Sequence, residues 1–66
     1  LNDAAQIILA KLEKSDNKTL YLTDNSDPEA IRLTLNMSKK MFKKGVGMLY
    51  KGGIIELEMD RIFLKE

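Results

Sequence analysis

Five lysines, Lys39, Lys40, Lys43, Lys44 and Lys51, fall in one segment, and residues 36–53 around them contain no aspartate or glutamate. That segment carries +5, whereas the rest of the chain, with six basic and ten acidic residues, carries −4, an asymmetry that the net charge of +1 hides. Phosphates are natural partners for such a cluster, because each neutralised phosphate releases condensed counterions and adds affinity independent of base sequence. The competing reading is a solvated helix exterior, for which lysine is ordinary filler. The lack of any acid in the segment favours nucleic-acid contact. The cations are lysine rather than arginine, and no asparagine or glutamine stands on the outward face to read a base edge bidentately. Contact without strong sequence preference follows.

Other chemistry is poorly supplied. The chain has no cysteine and no histidine, which removes disulfides, thiolate metal sites, the commonest metal ligand and the commonest general base. No catalytic residue, metal site, cofactor or small-molecule substrate is expected. Glu56 and Glu58 point the same way on an extended segment, but a flat exposed strand offers two carboxylates no desolvated pocket, so their expected role is solubility and edge protection. Tyr21 and Tyr50 can stack on bases, although general burial tendencies favour Tyr50 bordering the core and Tyr21 completing a strand. The four methionines read as gap fillers.

The lysines are positioned by one two-faced helix. Ser38 suits its N-cap, and Gly52-Gly53 can take the left-handed conformation that ends it. At helical spacing Phe42, Gly45, Val46 and Leu49 share a core-seeking face, and Lys40, Lys43, Lys44, Gly47 and Lys51 fall roughly opposite. Gly45 on the inner face suits tight helix packing. Gly47 sits mid-helix on the outer face, where glycine costs about 1 kcal/mol relative to alanine. It either admits a closely approaching backbone or domain, or is tolerated drift.

Ahead of that helix, Ala4, Ile8, Leu9 and Leu12 predict an amphipathic helix over 3–14, capped by Asn2 or Asp3, with Lys11 and Lys14 near its negative end. Ser15-Asp16-Asn17-Lys18 breaks it, and Thr19-Leu20-Tyr21-Leu22-Thr23 reads as a minor strand. Either Asp27 with Pro28 or Ser26 with Glu29 starts a short second helix, which carries Ala30, Ile31, Leu33 and Leu35 as apolar surface and ends near Asn36. After Gly53, Ile55, Leu57 and Met59 alternate with Glu56 and Glu58, then Ile62 and Leu64 with Arg61, Phe63 and Lys65. A hairpin with a two-residue tip at Met59-Asp60 pairs Glu58 with Arg61, Leu57 with Ile62 and Ile55 with Leu64. The tip lacks the glycine of a primed turn, so a longer or bulged tip around Met59-Asp60-Arg61 stays open. Phe63 faces outward among charges, a candidate docking contact together with Gly47.

This order predicts an α+β winged helix-turn-helix over 1–66, with a three-helix core, a short strand and a C-terminal β-hairpin wing. At 66 residues the chain makes one small domain that buries only about 60% of its unfolded surface. No apolar run approaches the roughly 20 residues of a membrane helix, so no membrane partner is expected. The chain starts at Leu1 with neither an initiator methionine nor a signal-peptide pattern, and further parts are expected upstream.

Met37-Ser38-Lys39-Lys40-Met41-Phe42-Lys43-Lys44, followed by Gly47, Leu49-Tyr50-Lys51 and Ile54-Ile55-Glu56-Leu57, resembles the C-terminal winged helix of the conserved virulence factor B family of bacterial RNA-binding proteins. Ser26-Asp27-Pro28-Glu29-Ala30-Ile31 is also similar to the family's lead into its second helix. The resemblance runs from about Ile8 to Leu64. It implies a cytoplasmic protein in which several upstream OB-fold RNA-binding domains precede this domain and which regulates gene expression, including virulence, after transcription. It also implies that Lys39, Lys40, Lys43, Lys44 and Lys51 lie on the helix facing nucleic acid. The chain departs from the pattern at the hairpin tip, where many relatives carry glycine and this chain has Arg61.

Two other functions compete with RNA binding. One is a protein-interaction module, docking on other domains of its own chain or self-associating through Phe63 and the acidic hairpin. The other is a DNA-binding transcription regulator, disfavoured because Glu56, Glu58 and Asp60 would meet phosphates with like charge and base-reading side chains are lacking.

Overall fold

A computed structural model describes residues 3–65. The elements are α1 (Asp3–Lys14), a 3-10 turn (Asp16–Lys18), β1 (Thr19–Leu20), α2 (Pro28–Leu35), α3 (Lys39–Lys51), β2 (Ile55–Leu57) and β3 (Ile62–Leu64). Three helices and a three-stranded antiparallel sheet of order β1-β3-β2 form the winged helix that the sequence predicts.

Capping sets the bounds of α3. The Ser38 hydroxyl accepts from the Met41 N–H at 3.1 Å, satisfying a donor that the first helical turn leaves unpaired. At the other end the Gly53 N–H reaches the Tyr50 carbonyl and the Ile54 N–H reaches that of Leu49. This pair of bonds is a Schellman closure, which needs a left-handed residue. Gly53 supplies it, with φ +72, while Gly52 stays right-handed at φ −76, so only the second glycine is used for its conformational freedom. At α2 the two start signals resolve into one. Asp27 accepts from the Glu29 N–H with Pro28 in the first turn, and the Ser26 hydroxyl accepts from the Thr23 N–H instead. The alternative cap at Asn2 lies outside the described residues.

The core is built from every major element. Ile8, Leu12, Ile31, Phe42, Leu49, Ile55 and Ile62 are fully buried, each worth about 1.5–3 kcal/mol relative to exposure. No buried polar side-chain atom lacks a partner among the described residues. α1 and α3 pack closely because Gly45 has no side chain to hold Ala4, Ala5 and Ile8 away.

The hairpin register is the expected one, with Ile55 opposite Leu64 and Leu57 opposite Ile62. Its tip has two residues, the Glu58 N–H donating to the Arg61 carbonyl at 2.8 Å. Among the described residues positive φ occurs only at Asn17, Lys18, Asn36 and Gly53, so Met59 and Asp60 close the turn without the primed geometry that glycine favours.

Several expectations are corrected. The minor strand shortens from five residues to Thr19 and Leu20, because only these find partners on β3, Phe63 and Ile62. Tyr21 therefore lies beyond the strand rather than completing it, and is 66% exposed. Leu33 is 71% exposed, since Ile31 and Leu35, four apart, already occupy the inward face of a two-turn helix. Of the four methionines only Met37 fills the core; Met41, Met48 and Met59 are exposed.

Candidate nucleic-acid interface

Burying Phe42, Gly45, Val46 and Leu49 against α1 and the sheet forces the other side of α3 outward. Lys40, Lys43, Lys44 and Lys51 are exposed and Lys39, nearer the core edge, is half-exposed. Among the described residues no carboxylate forms an ion pair with any of the five. They present uncompensated charge on one rigid element, the condition for phosphate attraction.

The hairpin is the electrostatic opposite. Arg61 donates to Asp60 at 2.9 Å, lies 3.8 Å from Glu58 and stands over the Tyr21 ring, 5.2 Å from its centroid. Lys65 pairs across the strands with Glu56 at 3.3 Å. The hydrogen bond from Arg61 holds the Asp60 carboxyl below its ordinary pKa, and the same contact raises that of Arg61. Both hairpin cations are thus occupied by acids of the hairpin itself. Phe63 sits on the central strand beside Thr19 and Glu56, where it is half-buried.

Beyond its chain neighbours and the backbone of its own helix, Gly47 has no atom within 4 Å of where a Cβ would stand, and that open space is shared by two depressions. On the outer face Lys43, Lys44, Met48 and Lys51 ring a notch at Gly47. Toward the wing, α3 and the hairpin enclose a groove of about 180 Å³, lined by Val46, Gly47, Leu57 and Ile62 with Lys43, Thr23, Asp24 and Glu58. Sequence reading missed this groove, since it joins α3, the loop after β1 and the hairpin, which are far apart in the chain. A glycine in mid-helix was its only signal. Among the described residues no cluster of three or more metal-ligating side chains occurs, and no helix is long and apolar enough to cross a membrane.

The family model described as CvfB-like winged helix domain matches residues 6–64. The chain belongs to that family. Within it, the chain is similar to Conserved virulence factor B of Staphylococcus aureus strains USA300 and NCTC 8325 / PS 47, with 44% identity over 64 residues, 97% of this chain. It spans 21% of the length of those relatives. A solved structure from Streptococcus pneumoniae, described as a multidomain protein with nucleic acid binding domains, superimposes with a TM-score of 0.91 at 37% identity, covering 98% of this chain and 22% of that one. In this CvfB-like winged helix domain the five lysines of α3 have no carboxylate partner among the described residues, whereas Arg61 and Lys65 of the wing are both ion-paired.

Proposed function

We propose that this CvfB-like winged helix domain binds RNA, contacting phosphates through Lys39, Lys40, Lys43, Lys44 and Lys51 without strong sequence preference. In this reading it works beside upstream OB-fold RNA-binding domains of the same chain, in a cytoplasmic bacterial regulator that acts after transcription. The observation that carries the proposal is the contrast in pairing: five lysines of α3 without a carboxylate partner among the described residues, beside a hairpin whose Arg61 and Lys65 are both occupied. A helix with unpaired cations attracts a polyanion, and a wing with three acids against two ion-paired cations does not. The description of the pneumococcal neighbour as having nucleic acid binding domains agrees with this reading. RNA is preferred over DNA because α3 carries no arginine, asparagine or glutamine to read a major-groove base edge bidentately and the wing beside it is acidic.

The test is an NMR titration with a single-stranded RNA, a duplex RNA and a duplex DNA at two salt concentrations. Salt-sensitive amide shifts centred on residues 38–51, strongest with RNA, are expected. Replacing Lys40, Lys43 and Lys44 together by glutamate abolishes them and leaves the fold intact. Absence of shifts with every ligand at low salt overturns the proposal in favour of a docking module, and a preference for duplex DNA overturns the RNA reading.

A further inference from the structure

The groove between α3 and the wing opens from the same glycine as the lysine-ringed notch. Val46 and Ile62, both buried, and Leu57, 44% exposed, give it an apolar lining; Lys43 belongs to both depressions. At about 180 Å³ it is smaller than the roughly 300–1,000 Å³ of drug-sized ligand sites, a size suited to one planar ring. Its polar residues are asymmetric. Lys43 stands on α3, while Asp24 and Glu58 come from the loop and hairpin that face it. A phosphate is therefore drawn to the α3 side and kept from the opposite side.

The geometry points to a nucleotide subsite of a single strand: the phosphate rests in the notch ringed by Lys43, Lys44 and Lys51, and the attached base inserts past Gly47 into the groove against Val46, Leu57 and Ile62. This rests on the proposed RNA binding and deepens it, because a base in a duplex is paired and stacked and cannot enter, whereas a base of a single strand is free to turn out. The occupant is a nucleotide rather than an apolar peptide side chain because the groove is continuous with uncompensated positive charge. Gly47 is then a positioning residue, kept small so that the base can pass α3.

Gly47→Leu fills the passage from the helix side. Its Cβ meets no neighbouring residue and leucine favours helix, so the melting temperature holds or rises. Leu57→Thr keeps strand propensity and removes the apolar wall. The 66-residue chain and both variants are titrated with a single-stranded RNA hexamer, an abasic ribose-phosphate hexamer and a duplex RNA. The wild type is expected to bind the single strand about tenfold more tightly than the abasic chain, the order of one base contact, with methyl shifts at Leu57 and Ile62 that the abasic chain does not produce. Each variant reduces single-strand affinity to the abasic level; Leu57→Thr, outside the lysine-ringed notch, leaves abasic and duplex binding unchanged, whereas Gly47→Leu, at the notch itself, is read from the loss of the preference for the single strand over the abasic chain. Equal wild-type affinity for the single-stranded and abasic hexamers, unaltered single-strand binding by the variants, or equal loss for all three ligands in Leu57→Thr overturns the subsite while phosphate binding stands. Failure of the wild type to bind any of the three at low salt overturns the RNA reading itself.

Discussion

Gly45 and Ile8 pack so closely that a Cβ on the glycine would stand 2.7 Å from the isoleucine Cδ1. Two residues farther along α3, a Cβ at Gly47 would meet nothing within 4 Å. The same change at these two glycines should therefore have opposite signs. At Gly45 the backbone of Ala4 and Ala5 stands only 3.0 Å from the new methyl, so rotation of Ile8 alone cannot make room. Gly45→Ala is expected to destabilise, the overpacking cost of about 1–3 kcal/mol outweighing the helix-propensity gain of about 1 kcal/mol. Gly47→Ala should stabilise by up to about 1 kcal/mol. Urea denaturation of the two variants checks both; stabilisation by Gly45→Ala would show that α1 can move away at little cost.

Salt dependence reports how many phosphates α3 engages. For binding to a single strand, log K falls with log salt by about 0.7 per phosphate neutralised. Changing Lys43 or Lys44 singly to alanine should lower that slope by roughly 0.7 and weaken binding about uniformly across RNA sequences. Arg61→Ala should leave the slope unaltered, because Arg61 is committed to Asp60 and Glu58. Fluorescence anisotropy over a salt series measures both.

The wing tip makes a prediction about pH. Asp60 is depressed chiefly by its hydrogen bond from Arg61, so the ionised carboxylate is favoured in the folded chain. Its contribution to stability is present above the ordinary carboxylate pKa and is lost as pH falls through the lower folded value. The effect is small because both groups are at the surface. Carboxyl carbon shifts of Asp60 against pH should give a midpoint below that of an ordinary aspartate, and Arg61→Ala should move it upward. An unchanged midpoint would show the pair does not persist in solution.

Capping should be measurable at α3. Ser38→Ala removes the acceptor for the Met41 N–H and is expected to cost about 1 kcal/mol. Because the lysines depend on the helix for their arrangement, hydrogen exchange should quicken first at residues 39–42. Exchange that quickens evenly along α3 would mean the helix opens as a unit and the cap has no local effect.

Much of the architecture was legible because local chemistry and global packing agree. Ser38, Asp27-Pro28 and the Gly52-Gly53 pair mark helix ends through hydrogen bonds made within a few residues, and the spacing of Phe42, Gly45, Val46 and Leu49 places the lysines outward whatever packs inside. Alternation from Ile55 to Leu64 set the hairpin register, since a one-residue slip would turn the whole apolar face to solvent. Leu33, Met41, Met48 and Met59 misled because apolar character alone does not say whether a neighbour is there to cover it. Tyr21 left the strand because β3 offers partners only to Thr19 and Leu20.

By itself, then, the sequence determined the three helices and the hairpin, the lysine face of α3 and the absence of histidine and cysteine chemistry, all being properties of residue type and short-range spacing. The tertiary structure alone decided which charges remain free and where the surface is hollow. Ion pairing depends on distances between separate elements, which tie Lys65 to Glu56 and, among the described residues, leave Lys43 without a carboxylate partner beside a groove. That groove exists only because residues of the loop after β1, α3 and the wing, remote along the chain, meet around the missing side chain of Gly47.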